Sequence, residues 1–378
     1  LSKSIGQNVP PKDCLKSRLL ILTGLDGGSG DYTRKVTSIE GVGSARLHLR
    51  PMFRAAQELD LNPRLLSLDV DQPQSLSKLG NPDVCVIGKL NHFDDSRVEG
   101  FAMASLAAVA RLKASNVRIA LMYCDHLAPL NCVRGSLYRD LLALCDQVIV
   151  PCKAMADRAN DFLKNPTKLN IIEDPWQVRM QNYQLPKKDL PLRLGWFGSA
   201  NNAIFLCDKL RSLMLSIDVA SSIELVVLSS DVALQTVEEA FESSLPTAIR
   251  PWKLQLVRWD DLSQPDQLEK VLGSVHVVWL PSEPKSPIKG GVSHNRLVDA
   301  VRSGSIVVAS DMQSYQELSQ LALLGPDHGG LINQLVPQYE RLADKYAAFR
   351  SHVLRRFSPE TNLKSWRRLL IDMTSNAN

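Results

Sequence analysis

Short apolar runs alternate along this chain with longer segments of mixed polarity. Residues 18–23, 65–68, 83–87, 118–122 and 147–150 are apolar and short enough to be buried strands. Residues 44–59 and 98–115 read as helices. Ile171 and Ile172, ahead of Glu173, Asp174 and Pro175, read as a last strand of this half. A polar stretch bounded by proline follows at 185–191 (LPKKDLP) and reads as a linker. The pattern then restarts, with strands expected at 192–197, 224–228, 253–257, 276–280 and 305–309. Strands alternating with helices predict parallel, doubly wound sheets with helices on both faces. The expected organisation is an extension at 1–17, domains at 18–185 and 186–345, and a C-terminal helix at 346–378. Trp366, Leu369 and Leu370 mark the packing side of that helix.

One stretch concentrates chemistry. After the strand ending at Leu280, Pro281 stops the ladder, and a loop carries Lys285, Lys289, Gly290 and Gly291. Ser293 stands where an N-cap belongs, a helix is expected over 294–303, and Gly304 stops it before the buried strand at 306–309. A helix N-terminus at the carboxyl end of a parallel strand offers free N–H groups and partial positive charge, in the crevice where open α/β sheets bind ligands. Asn295, Asp299 and Arg302 share one helix face, with Arg296 beside the first turn. Lys289, Ser293, Arg296 and the amides of Ser293, His294 and Asn295 are placed to hold a diphosphate. Asp299 is placed one turn on, to accept from a sugar hydroxyl.

The segment NRLVDAVRSGSIVVASDMQSYQE resembles the donor-binding segment of GT-B glycosyltransferases, most closely the retaining group called family 4 or glycogen-synthase-like. Asp299, Ala300, Gly304, Val307, Val308, Ala309 and Ser310 carry the likeness, and a weaker one runs from about Arg18 to the C-terminus. The resemblance implies an α/β GT-B architecture, two Rossmann-like doubly wound domains facing a cleft, with the last helix packed back on the first domain. It implies a nucleotide-sugar donor as co-substrate and no bound cofactor. Of the two family glutamates, the ribose-holding one maps to Asp299 and the sugar-touching one to Gly291, which leaves that role vacant. Glu317 maps to a family glutamate near the donor, and Leu280 and Trp259 to the neighbourhood of the base. The family's first-strand glycine loop faces the cleft. Here that loop is residues 24–43, leading through Gly43 and Ser44 into a helix that carries Arg46. A surface loop is its plain alternative.

Gly198 and Ser199 follow the first strand of the second domain, where a glycine turn lets phosphate approach the backbone. The Arg and Lys usual after this turn are missing, since Lys209 and Arg211 come late, and the burden falls on Lys289 and Arg296. Asp125 and His126 end the strand at 118–122, where retaining GT-B enzymes often carry a sugar-contacting His; His126 as a general base for inversion is the other reading. Lys89 ends its strand similarly. The Asp69-Val70-Asp71 triplet looks like a metal motif of another transferase architecture but reads better as a turn, so no metal is expected.

Composition narrows these readings. With 378 residues, 44% hydrophobic and 22% charged, the chain is an ordinary globular sequence of two domains. Its net charge of +4 is too small to argue for nucleic acid. No run approaches the ~18 apolar residues of a membrane span. Seven scattered cysteines without a CxxC pair fit a reducing compartment. The opening residues lack a secretory apolar core, and a first residue of Leu1 suggests part of a longer protein. The expectation is a cytoplasmic transferase of glycan biosynthesis, retaining and metal-independent, with a glycan, lipid-linked or small-molecule acceptor. Arg355, Arg356, Lys364, Arg367 and Arg368 allow peripheral membrane contact, with a solvated helix face as the alternative. A degenerate, non-enzymatic donor-binding or scaffold protein and a sugar-nucleotide epimerase remain the other readings.

Overall fold

The computed structural model describes residues 18–24, 30–31, 33, 45–68, 78–90, 97–163, 168–219, 222–259, 265–289 and 291–375. The first half runs β1 (Leu19–Gly24), β2 (Gly30–Asp31), α1 (Arg50–Glu58), β3 (Arg64–Ser67), β4 (Val84–Leu90), α2 (Val98–Ala114), β5 (Arg118–Met122), α3 (Val133–Leu144), β6 (Gln147–Val150), α4 (Lys153–Asn160) and β7 (Leu169–Ile171). Its sheet order is β2-β3-β1-β4-β5-β6-β7, parallel throughout except at two-residue β2. The second half runs β8 (Leu192–Phe197), α5 (Ala200–Ser216), β9 (Ile223–Ser229), α6 (Asp231–Ser244), β10 (Trp252–Arg258), α7 (Pro265–Leu272), β11 (Val277–Leu280), α8 (Asn295–Arg302), β12 (Ile306–Ala309), α9 (Gln313–Gln316), β13 (Ala322–Leu324) and α10 (His328–Leu335). This sheet is all parallel, in the order β10-β9-β8-β11-β12-β13. Two further helices, α11 (Tyr339–Leu354) and α12 (Pro359–Ser375), complete the chain.

In the first sheet, alternate residues face opposite layers. Leu20, Leu22, Cys85, Ile87, Ile119 and Leu121 pack under α2, α3 and α4. Leu19, Ile21, Val84, Val86, Ala120 and Met122 pack under α1 and α12. Both faces are covered, which is why these strands read as continuous apolar runs. Trp366, Leu369 and Leu370 of α12 lie in the first half's core, at 1%, 4% and 0% exposure, so the last helix walls a domain begun some 340 residues earlier.

Two local differences from the sequence reading have clear causes. The helix expected over 44–59 begins as a wide turn, Ala45–Leu49, and becomes α-helical at Arg50. Pro51 lacks an N–H and fits only the first turn of a helix, so α-helical bonding starts there. The helical tail is broken between α11 and α12. Ser358 Oγ accepts from Thr361 N at 3.0 Å, an N-cap, and Pro359 is the first helical residue.

The chain crosses between the halves over residues 172–191, and part of it is pinned to the second half. Arg302 Nε donates to Val178 O at 2.8 Å, and its guanidinium lies 3.6 Å over the Trp176 ring. Arg350 donates to Val301 O and Gln181 O. At the carboxyl end of β6, Cys152 Sγ donates to Gly291 O in the loop after β11 at 3.4 Å, which holds the carboxyl edges of the two sheets close.

Replacing the fully buried Leu370 with Ala should cost ~2–5 kcal/mol by removing apolar contact and leaving a cavity. Denaturant unfolding checks this, and a change below about 1 kcal/mol would mean that α12 is peripheral to the first half's core.

Candidate active site

The facing carboxyl edges bring four charged groups together. Lys89 ends β4 and Asp125 follows β5; Lys89 Nζ and Asp125 Oδ2 are 2.8 Å apart. Lys289, in the loop after β11, donates from Nζ to Asn202 Oδ1 at 2.8 Å and lies 5.6 Å from the Phe205 ring centroid. Arg296, in the first turn of α8, has its guanidinium 5.2 Å from the Trp196 ring and 5.4 Å from Phe197.

These charges feel one another across the cleft. Burial opposes ionisation of Asp125, but Lys89, Lys289 and His48 outweigh it and hold the carboxyl below its usual range. Burial also opposes charge on Lys89, and Asp125 reverses this and raises its pKa. Lys289 is pushed down, by burial first and then by Arg296 and Lys89, against the pull of Asp125. Arg296 is pushed down by burial, offset in part by Tyr315. Two lysines thus share one carboxylate, and Arg296 adds its charge beside Lys289. Among the described residues, Nε and Nη2 of Arg296 are enclosed and without a hydrogen-bond partner. An enclosed donor of that kind costs free energy until an anion reaches it.

The turn beside Arg296 is built for close approach. A Cβ on Gly198 would stand 3.1 Å from the Trp196 ring and 3.5 Å from Arg296 Cζ. Ser199, exposed, is the N-cap residue of α5, with its hydroxyl turned to Asn202 Nδ2 at 3.4 Å rather than to a helix amide. At α8 the cap residue is His294, one later than expected; Ser293 Oγ accepts from Asn295 N at 3.2 Å, and Asn295 Oδ1 from Arg296 N at 2.7 Å. Lys89, Asp125, Gly198, Ser199, Lys289, Ser293, Asn295 and Arg296 therefore gather at the cleft edges.

Other expected site residues lie elsewhere. His126 is 4% exposed, with Nδ1 2.9 Å from the Tyr123 hydroxyl and its ring against Phe162. Burial, with Arg158 nearby, holds it near pKa 4. It is a neutral core histidine, because the chain turns inward after Asp125. His294 is 1% exposed and packs on Phe357, its Nε2 3.5 Å from Glu317. Glu317 accepts from Ala154 N at 3.4 Å and pairs with Arg356 at 3.2 Å, which pairs in turn with Glu173 at 3.1 Å. Both residues belong to a strap that ties α4 to the second half. Leu280 is 1% exposed and faces the core, since its strand is covered on both sides. Trp259 is half-buried at the end of β10, its amide donating to Ser229 O at 2.7 Å.

Asp299 is also taken. It is 1% exposed, and its two oxygens accept from Gln177 N at 2.7 Å and Gln177 Nε2 at 2.9 Å. It anchors the crossing chain instead of facing the cleft. A Cβ on Gly291 would meet Met155 Sδ at 2.9 Å and Met155 Cα at 3.0 Å, and its carbonyl accepts from Cys152 Sγ at 3.4 Å. The glycine at the vacant family position is thus a point where the second half rests on α4. Gly43, Ser44, Gly290, the Asp69–Asp71 triplet and the side chain of Arg46 lie outside the described residues.

The sequence reading missed the pair behind Asp125. His48 Nε2 is 2.7 Å from Asp174 Oδ1, and Cys124 Sγ is 3.8 Å and 3.9 Å from the two ring nitrogens of His48. No motif links residues so far apart; only the ends of β5, β7 and the turn before α1 bring them together. Among the described residues, no cluster of three His, Cys, Asp or Glu side chains could hold a metal, and no helix is long and apolar enough to cross a membrane.

No protein-family model matches the chain, and no curated protein matches it in sequence. Solved structures do match in shape. Anabaena HepE in complex with UDP-glucose is 14% identical, with TM-score 0.61 over 94% of this chain and 99% of that one. An alpha,alpha-trehalose-phosphate synthase (UDP-forming) from Burkholderia vietnamiensis is 12% identical, with TM-score 0.54 over 96% and 100%. The lipopolysaccharide outer core galactosyltransferase WaaB is 12% identical, with TM-score 0.55 over 94% and 99%. At these identities the likeness establishes the fold: this chain has the two-domain GT-B architecture expected from its sequence.

Burial, stronger than the Gln177 bonds, raises Asp299 to about pKa 6, above its ordinary 3.8. The folded state thus holds this proton more tightly than the unfolded chain. The resulting stability is full below about pH 4 and lost as pH rises through 6. Relative to Asp299→Asn, the wild type should lose about 2 kcal/mol between roughly pH 4.5 and 7.5. Parallel denaturation curves check the sign, and an unchanged difference would place Asp299 in contact with solvent.

Proposed function

We propose that the chain is a glycosyltransferase that binds a nucleotide-sugar donor between its two halves and transfers the sugar to an acceptor. One observation carries the reading. At the switch points of a GT-B fold, two lysines converge on one carboxylate and Arg296 stands beside Lys289, its Nε and Nη2 enclosed and, among the described residues, unpartnered beside the Gly198 turn. A diphosphate is the ligand that such a fork-shaped cation and a glycine turn suit. Lys289 and Arg296 offset its charge, with Ser199, Ser293 and Asn295 nearby. As the nucleotide leaves, the same fixed donors stabilise charge on the leaving phosphate without a metal. HepE is described in complex with UDP-glucose and the Burkholderia synthase as UDP-forming, which makes a uridine nucleotide the first donor to try.

Retention is the stereochemistry we propose. Inversion requires a free base on the acceptor side. Of the groups described there, His126 is turned into the core, Asp125 is paired with Lys89, and His48, whose pKa Cys124 and Asp174 hold well above its ordinary value against the effect of burial, keeps its proton. One observation favours a second reading, donor binding without transfer: both positions of the family's glutamate pair are taken by contacts within the protein, Gly291 by Met155 of the first half and Asp299 by Gln177 of the crossing segment.

Thermal shift against nucleoside diphosphates and their sugars tests the donor site. One nucleotide family should raise the melting temperature. Arg296→Ala should weaken its binding ~10–100-fold, the value of a charged hydrogen bond, and Arg296→Lys less. A folded protein unmoved by every nucleotide would overturn the proposal. Binding with neither transfer nor donor hydrolysis would establish the second reading.

A further inference from the structure

Helix α5 carries no cation in its first two turns; Lys209 and Arg211 come later and are exposed. The ammonium that stands beside its first turn comes from elsewhere in the chain. Lys289 reaches it from the loop after β11. The backbone of Lys289 is held in consecutive turns there, its N–H donating to Ser286 O at 3.2 Å and its carbonyl accepting from Val292 N at 3.2 Å. Lys285 of the same loop is exposed.

Two residues of α5 receive that ammonium. Asn202 Oδ1 accepts from Lys289 Nζ at 2.8 Å, and the Phe205 ring centroid lies 5.6 Å from Nζ. Residues three apart share a helix face, so the two form one saddle. A lysine only donates, which fixes the amide oxygen of Asn202 toward it. The other end of the amide, Nδ2, donates to Ser199 Oγ at 3.4 Å. A chain of contacts thus runs from the cap of α5 through Asn202 to the β11 loop. Charge alone would not keep Lys289 there. Arg296 and Lys89 repel it, and Asp125 of the first half attracts it. A lysine stem is flexible enough to follow such forces. A neutral amide holds the ammonium without cancelling its charge, and it takes only one of three N–H groups.

We propose that Asn202 is a positioning residue of the donor site: it makes Lys289 a phosphate ligand by holding the ammonium on the second half, instead of letting it swing across the cleft to Asp125. Lys89, 2.8 Å from Asp125, shows the pairing that Lys289 is kept from. Asn202 itself touches no phosphate and acts through Lys289 alone. The inference rests on the donor reading above.

The test is a double-mutant cycle on ligand affinity in the full chain. Calorimetric titration with UDP, GDP, ADP and CDP selects the tightest of them as probe. Lys289→Met should weaken the probe ~10-fold or more, the value of a charged hydrogen bond. Asn202→Ala should weaken it by a similar factor. The double variant should bind no more weakly than Lys289→Met alone. A pH series adds a readout that a merely structural role would not move. The pKa of Lys289 is lowered by burial first and then by Arg296 and Lys89, so it gives up its proton earlier than a free lysine and affinity falls as pH rises. The part of that fall which Lys289→Met removes should be gone in Asn202→Ala as well. Lys285→Met is the control and should bind like the wild type. Alanine is a strong helix former, and if Asn202→Ala does not fold, Asn202→Ser, too short to reach Nζ, replaces it. Losses that add in the double variant would make Asn202 a ligand contact in its own right and overturn the assignment, as would wild-type affinity in Lys289→Met or Asn202→Ala. A folded wild type that binds none of the four nucleotides would overturn the donor reading, and this inference with it.

Discussion

Lys89, Lys289 and Arg296 are held near one another against repulsion and partial loss of water, with Asp125 as the counter-charge of the two lysines. Like charges so placed destabilise the chain that carries them. The arrangement survives because each cation is fixed by something other than charge. Lys289 is fixed by Asn202 and the face of Phe205, Arg296 by two aromatic rings, and Lys89 by its strand. The surplus positive field is thus a property of the backbone framework, present before any ligand arrives. That is the preorganisation that electrostatic catalysis needs.

The same framework explains why the halves sit so close. The contact of Gly291 with Met155, the bond from Cys152 to its carbonyl, and the chain Ala154–Glu317–Arg356–Glu173 form a strap on one side of the cleft. On the hinge side, Asp299, Arg302 and Arg350 hold the crossing segment. Asp299, Arg302 and Arg350 are polar and buried, and Asp299, Gly291 and Glu317 stand where the resemblance puts donor contacts, which makes them look like ligand groups in a linear reading. They bind the protein to itself.

How far the sequence could be read follows from this division. Strand positions were legible because buried parallel strands are continuous apolar runs; β5, β6 and β8 fall where the pattern puts them. The three-residue β13 carries too little pattern to be seen. The glycine turn at Gly198 and the cations Lys289 and Arg296 were legible because helix starts at strand ends have local signatures. The direction of a single side chain was not. His126 and Asp125 are neighbours in sequence, yet one faces the core and the other the cleft, and composition does not distinguish them. His48, Cys124 and Asp174 were invisible for a different reason: 76 and 126 residues separate the partners, and only closure of the sheet brings them together.

The packing of α12 against α1 has a consequence for the order of synthesis. Residues 359–375 complete a core whose first strand starts at Leu19, so the first half emerges from the ribosome with one face of its sheet covered by α1 but not yet by α12. The second half, whose own core draws on neither α1 nor α12, has all its strands available earlier. The domain that comes first in sequence is therefore the one finished last. During that interval the apolar surface awaiting α12 is an aggregation hazard.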